Sequence, residues 1–343
     1  MRIRSIAASI PSRRVSCEDI EQRVRQESAA DLPPEQMERL IKRLRILFRF
    51  AGSRDRYERE KGERSGDFVL KAAREALAKA DLGPEDIDLV LYVGVGRGWL
   101  EPGMSNYFTH ALGLRNATCF DVLDACLSWL RALYISYHFL KNGANKHILV
   151  LNGEFNGEYG NWRITHPDQL DYRFAQCTIG EAATATILEP WQEGEEPYFK
   201  FKTDASLHSL CKIPLPQIAQ YSESERHPAI DPLVFFAYSK ELFKAARGVM
   251  TAAYRNSSEL NRRPFEIAFA HSASWHLIEG VDQELGGLGR TVNLFEEFGN
   301  TVSASIPVAM CRAIEQGRLR RGMRMLHVVG SAGFSVGFAH LVY

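Results

Sequence analysis

The chain has 343 residues, of which 45% are hydrophobic and 24% charged, with 42 Lys plus Arg set against 42 Asp plus Glu. That length exceeds what one hydrophobic core usually serves, so two domains or two closely packed halves are expected. Zero net charge gives no electrostatic case for nucleic acid or an anionic membrane as partner, and no run of about 18 apolar residues exists to span a bilayer.

The N-terminal stretch from Met1 to Pro11 is too short and polar for a signal peptide and reads as a first strand. Residues 15–30 and 33–48 read as charged helices, and Asp67–Ala80 spaces its apolar residues for a third. Ile87–Gly96 is a continuous apolar run bounded by glycine, the pattern of a strand covered on both faces in a parallel sheet. Cys119–Leu123 forms a short strand that turns at Asp124-Ala125 into a helix starting at Cys126. Lys146–Gly153 and Ala183–Leu188 are further strands.

The stretch 191–235 is polar and irregular, suited to a join or a pocket-shaping insertion. Beyond it the same grammar returns: a strand at Phe265–His271, a helix at Asn300–Gln316, and strands at Met323–Gly330 and Gly337–Tyr343. The expected fold class is α/β in two similar halves, residues 1–190 and 191–343.

Six cysteines stand at 17, 119, 126, 177, 211 and 311, with no Cys-x-x-Cys pair and no Cys/His ligand cluster. In a chain this long they are expected to be reduced thiols in the cytoplasm, with neither a disulfide framework nor a metal site. A thiol at a helix N-terminus meets unpaired N–H groups and the positive end of the dipole, which favours thiolate and makes Cys126 a candidate nucleophile. A small buried core residue is the competing reading. His271, immediately after an apolar strand, is either a satisfied polar tip or an imidazole aimed at a substrate oxygen. His276, within the following helix, reads as structural. Asn300 follows Gly299 as either a helix N-cap or a free amide donor.

Taken together, Asp124-Ala125-Cys126, His271-Ser272-Ala273-Ser274, Gly299-Asn300-Thr301 with Ala304-Ser305 and Pro307, and the Gly330–Gly337 turn resemble the β-ketoacyl-acyl-carrier-protein (ACP) synthase III branch of the thiolase superfamily. Gly180-Glu181-Ala182-Ala183 is similar to a glycine-rich motif of that family, and Gly52–Arg56 to an early one. The resemblance implies a five-layered αβαβα thiolase-like fold and a homodimer. It implies a cytoplasmic acyltransferase that loads an acyl group on Cys126 and performs a Claisen condensation with a second thioester. His271 and Asn300 would then stabilise the enolate, while the backbone N–H groups of Cys126 and Ala332 form a second oxyanion hole. CoA or phosphopantetheine thioesters, borne by CoA or ACP, are the implied substrates, and no separate cofactor is.

Three departures stand out. Ile46 and Phe50 occupy the region where the family places a tryptophan and arginine that clamp adenine. The terminal turn, Gly330-Ser331-Ala332-Gly333, is less open than the usual glycine string. Glu101 in Gly98–Gly103 is either a loop or helix-entry carboxylate or, as its resemblance implies, the glutamate that acts as base on the partner subunit in enzymes joining two long acyl chains head to head. Head-to-head condensation, acyl transfer to an alcohol or amine, and a catalytically silent partner subunit are the alternatives. Leu210, Ile213, Leu215, Leu233, Phe235 and Phe236 are apolar enough to shape a long acyl pocket and equally compatible with ordinary core packing.

Overall fold

A computed structural model describes residues 1–191, 194–221, 231–286 and 289–343. The chain opens with β1 (Arg2–Ser9), and β2 (Arg13–Ser16) pairs with β3 (Asp55–Glu58). Between these two lie α1 (Cys17–Ser28), started by a Ser16/Asp19 capping box, and α2 (Pro34–Ala51), which closes on a left-handed Gly52. Then come α3 (Ser65–Ala80), β4 (Leu89–Val93), α4 (Met104–Ala111), β5 (Thr118–Val122), α5 (Ser128–Lys141), β6 (Ile148–Glu154) and β7 (Ala182–Glu189). The first sheet has the order β1-β7-β6-β4-β5. Its centre, β4 and β6, is buried along its whole length and pairs in parallel, as the apolar runs require.

The second sheet is drawn from β8 (Tyr198–Thr203), β11 (Ile267–Ala270), β12 (Thr291–Val292), β13 (Arg324–Ser331) and β14 (Ser335–Val342), in the order β12-β11-β13-β14-β8. A small ribbon of β9 (Cys211–Lys212) and β10 (Phe236–Ala237) stands apart from it. Among helices of at least eight residues, this part adds α6 (Ser239–Arg255), α7 (Trp275–Glu284) and α8 (Ser305–Glu315).

The layers follow from the packing. Trp129, Leu130 and Leu133 of α5 and Ile306, Ala309 and Met310 of α8 share one core with Leu91 and Val150 of the first sheet and Phe269 and Met325 of the second. Those two helices are therefore the middle layer. On the outside, α3 and α4 cover the first sheet and α6 and α7 the second. This is the α/β, αβαβα arrangement of the thiolase fold.

Three expected elements change. The helix expected from Cys126 begins at Ser128, after a 3-10 turn over Ala125–Leu127. The helix expected from Asn300 begins at Ser305, after a 3-10 turn over Val302–Ala304. In both places a left-handed residue stands at the turn, and an α-helix cannot include that conformation. Within 191–235, Tyr198–Thr203 is a regular edge strand bonded to β14, because the exposed edge of β14 supplies the ladder its polar sequence hides. Residues 192–193 and 222–230 of that stretch lie outside the described residues.

Candidate active site

Cys126 sits between the end of β5 and the start of α5. Ala125 has φ +45°, and the Leu127 N–H returns to the Asp124 carbonyl at 2.9 Å. Holding a non-glycine residue in that region costs on the order of 1–2 kcal/mol. The turn is pinned by Ser128, whose hydroxyl accepts from the Asp124 N–H at 2.8 Å and donates to the Ala125 carbonyl at 2.7 Å. The thiol faces the cavity, but the thiolate expected from a helix N-terminus is not its resting form. Burial pushes the Cys126 thiol well up, and the neighbouring Cys211 thiol and Glu154 carboxylate push the same way, against the pull of its own N–H.

His271 follows β11 and is buried. Its Nδ1 lies 2.9 Å from the Ser305 hydroxyl, and the Val302 main chain supports the protonated ring. Burial outweighs that support and pulls the imidazole down to about 4, so His271 is neutral at neutral pH.

Asn300 caps no helix. Its N–H donates to the Thr178 carbonyl at 2.8 Å and its carbonyl accepts from Gly180 at 3.0 Å, forming a bridge to the entry of β7. The side-chain oxygen accepts from the Val302 N–H at 2.9 Å, which fixes the amide with its nitrogen as the open edge. Gly299 has φ +63°, and a Cβ there would stand 2.4 Å from the Thr178 carbonyl oxygen. Gly180 meets the Phe298 carbonyl at 2.2 Å in the same way, so the two backbones cross at a distance that only glycine permits.

One cavity of about 890 Å³ has all three, Cys126, His271 and Asn300, on its wall, together with Ala332. The Ala332 turn is tied to the Cys126 turn by the Ser331 hydroxyl, which donates to the Asp124 carbonyl at 3.0 Å. Of the expected pocket residues, Ile213 and Phe235 line the cavity, whereas Phe236 is buried in packing and Leu215 and Leu233 are exposed. Leu210 is not on the wall. Ile46 and Phe50 lie at its open end, where the Phe50 ring stands 4.6 Å from that of His276. His276, expected to be structural, is thus part of the wall; its side of α7 faces α2. Glu101 is exposed and lies off this chain's own cavity.

Sequence reasoning missed two wall residues. Cys211 shares the cavity with Cys126, and only the β9–β10 ribbon, too short to read in sequence, carries it there. Glu181 is a buried wall carboxylate that accepts from the Arg59 N–H at 2.8 Å and from its Nε at 3.2 Å. Its place in the Gly180-Glu181 motif was the available signal.

Residues 120–206 match the family model for 3-oxoacyl-ACP synthase III, and residues 257–343 match the model for that family's C-terminal region. The chain belongs to the 3-oxoacyl-ACP synthase III family. Relatives include the β-ketoacyl-ACP synthase III of Symbiobacterium thermophilum, 28% identical over 291 residues and covering 83% of this chain and 86% of its own. The enzyme of that name from Neisseria gonorrhoeae is 27% identical over 346 residues, covering 100% and 99%. Among solved structures, the 3-oxoacyl-ACP synthase III of Aquifex aeolicus superposes with a TM-score of 0.80 at 21% identity, covering 100% of this chain and 99% of that one. Cerulenin-bound OleA of Xanthomonas campestris gives 0.83 at 21% identity, covering 99% and 96%. This synthase III family member is therefore an acyl-transferring condensing enzyme with the thiolase fold.

Proposed function

We propose that the chain loads an acyl group on Cys126 and condenses it with a second thioester. The observation that carries this reading is the convergence of Cys126, His271 and Asn300, from both sheets, on one cavity. Cys126 sulfur attacks the thioester carbonyl, and the leaving CoA or pantetheine thiol takes up the proton. A malonyl thioester then loses CO₂ to leave an enolate, whose oxygen accepts from His271 and Asn300. The enolate carbon attacks the acyl carbonyl, the Cys126–acyl bond breaks, and the expelled Cys126 thiolate takes a proton from solvent to regenerate the thiol. Neutral His271 can donate to the enolate oxygen, and the Cys126 and Ala332 N–H groups serve the tetrahedral oxyanion.

The cavity favours acyl groups much longer than acetyl, since about 890 Å³ lies at the upper end of small-molecule sites and its wall is largely apolar. Both α2 and α6 supply residues to the cavity wall and both carry exposed cations, Arg39, Lys42 and Arg49 on the one and Lys240, Lys244 and Arg247 on the other, which suits the phosphates of CoA or an acidic carrier protein. The substrates bring their own pantetheine arm, and the reading asks for no further cofactor. A reactive thiol and six free cysteines suit a reducing cytoplasm.

A second copy of the chain completes the site in this reading. β5 is an edge strand with Phe120 exposed, and Leu123, Trp99 and Leu100 beside it are exposed as well. Leu123 also lines the cavity, so a homodimer paired along β5 covers this patch and brings the partner's 97–103 loop towards the opening. Glu101 on that loop is then available as the base of a non-decarboxylative, head-to-head reaction.

The test is intact mass spectrometry of the protein and a Cys126→Ala variant after incubation with acyl-CoAs of graded length, with and without malonyl-CoA. An adduct on the parent alone, resolved with CO₂ release, supports decarboxylative condensation. Turnover without CO₂ selects the head-to-head or simple transfer alternative. Absence of any adduct with CoA and carrier thioesters alike rejects the enzyme reading in favour of a silent subunit.

A further inference from the structure

Glu154 ends β6 and is fully buried, one layer behind the cavity wall. Its Oε1 accepts from the Ser303 N–H at 3.2 Å and from the Ser303 hydroxyl, and its Oε2 from the Asn156 amide at 2.7 Å and the Val95 N–H at 3.2 Å. Four donors satisfy a carboxylate without a counter-cation. Ser303 is held a second time, by the Asn152 amide at 3.0 Å. Ser303 belongs to the Val302–Ala304 turn, whose Val302 N–H orients the Asn300 amide and whose next residue, Ser305, meets His271 Nδ1.

We propose that Glu154 is a positioning residue that clamps the turn carrying Asn300 and supporting His271 to the sheet that presents Cys126. The oxyanion donors for the second thioester stand on one sheet and the nucleophile on the other, so their register depends on contacts across the junction. Glu154, with Asn152 beside it on β6, supplies buried polar contacts to the Ser303 turn there. The same group has a second effect: burial raises the Glu154 carboxyl against the pull of its four donors, and in its ionised form its charge opposes formation of the Cys126 thiolate. The remaining titratable groups near Cys126 are Cys211, Asp124 and, across the cavity, His271; Tyr92 faces Glu154 itself. The inference rests on the proposed function for its activity readout and is independent of it for its thiol readout.

The experiment compares Glu154→Gln and Ser303→Ala with the parent in two assays: iodoacetamide alkylation of Cys126 from pH 6 to 10, and condensation with pre-loaded acyl enzyme. Glu154→Gln should alkylate faster, with its inflection moved to lower pH, while condensation falls about ten-fold or more, a fraction of the 10²–10³ that loss of one oxyanion donor costs. Ser303→Ala keeps the charge and loses the clamp, so condensation should fall while the alkylation profile stays in place. A structural role alone would slow both reactions together in both variants, and that result, or wild-type condensation in both, overturns the proposal. If Glu154→Gln does not fold, Ser303→Ala decides the clamp. If the parent alkylates but condenses nothing, the functional reading fails while an unshifted Glu154→Gln profile would separately reject the charge effect.

Discussion

Two turns pack against each other at the junction of the two sheets and share one backbone design. In the first, Ala125 at φ +45° opens a 3-10 turn that runs into α5; in the second, Val302 at φ +48° opens one that runs into α8. Each is closed by the same bond at the same length, Leu127 to Asp124 and Ala304 to Thr301, both 2.9 Å. The residue that follows the left-handed one is Cys126 in one case and Ser303 in the other. Cys126 is left to the cavity, whereas Ser303 is captured by Glu154 and Asn152. The comparison separates geometry from chemistry. The elbow only aims a side chain, and what meets that side chain decides whether it reacts or anchors.

The largest effect expected follows from making the first turn resemble the second. Cys126→Ser gives both turns a hydroxyl, a far weaker nucleophile than a thiol, and condensation should fall on the order of 10³-fold or more. Mass spectrometry should show no acyl adduct on that variant. An oxygen ester forming there at a rate comparable to the parent's thioester would mean that the elbow, and not the thiol, supplies the reactivity. Next in size is the second turn's own task. Asn300→Ala or His271→Ala should lose about 10²–10³ in condensation while Cys126 still loads its acyl group. Equal loss in loading and condensation would show that the turns do not divide the labour.

Much of this division was legible in sequence, and the illegible part has a common cause. Buried strands such as β4 and β6 announce themselves by unbroken apolar runs, and the Asn300 turn by a Gly299 that no other residue could replace. The start of α5 was misplaced because Ala125 carries no mark of a left-handed conformation, which tertiary packing imposes. The same holds for Val302 ahead of α8. That error mattered chemically, since it credited Cys126 with a helix N-terminus and left out the burial that dominates the thiol. Glu154 stands one residue past the strand expected at Lys146–Gly153, and its donors come from residues 95, 156 and 303, a set no local pattern reveals.

The two parts of the chain also differ in acid. His271, His327 and His340 of the second sheet are buried, with burial pulling them to about 4, 3 and 4, whereas His110, His138, His147 and His166 near the first are at least partly exposed. A histidine held neutral in the fold takes up its proton only on unfolding. Its contribution is complete above pH 6.5 and is lost as pH falls from there towards the folded value. Between pH 6.5 and 4.5, above both folded values, His271 and His327 each account for about 3 kcal/mol, at ~1.4 kcal/mol per pKa unit. Urea midpoints at pH 7.5, 5.5 and 4.5 should fall, and His327→Phe should flatten the decline. An unchanged decline in that variant would place the acid sensitivity elsewhere.

The smallest effect is the most pointed test of the shared backbone. Glycine removes a left-handed penalty of roughly 1–2 kcal/mol and returns about 0.5–1 kcal/mol as unfolded-state entropy. At Ala125, where only a methyl group is lost, the balance is a gain of a few tenths to ~1 kcal/mol. At Val302 the relief is matched against a buried side chain, 7% exposed, whose transfer is worth about 1.5–3 kcal/mol, so the sign reverses. Ala125→Gly should therefore raise the urea midpoint and Val302→Gly lower it. Two shifts of the same sign would mean that the turns are not equivalent in strain, and that the likeness of their φ angles conceals different supports.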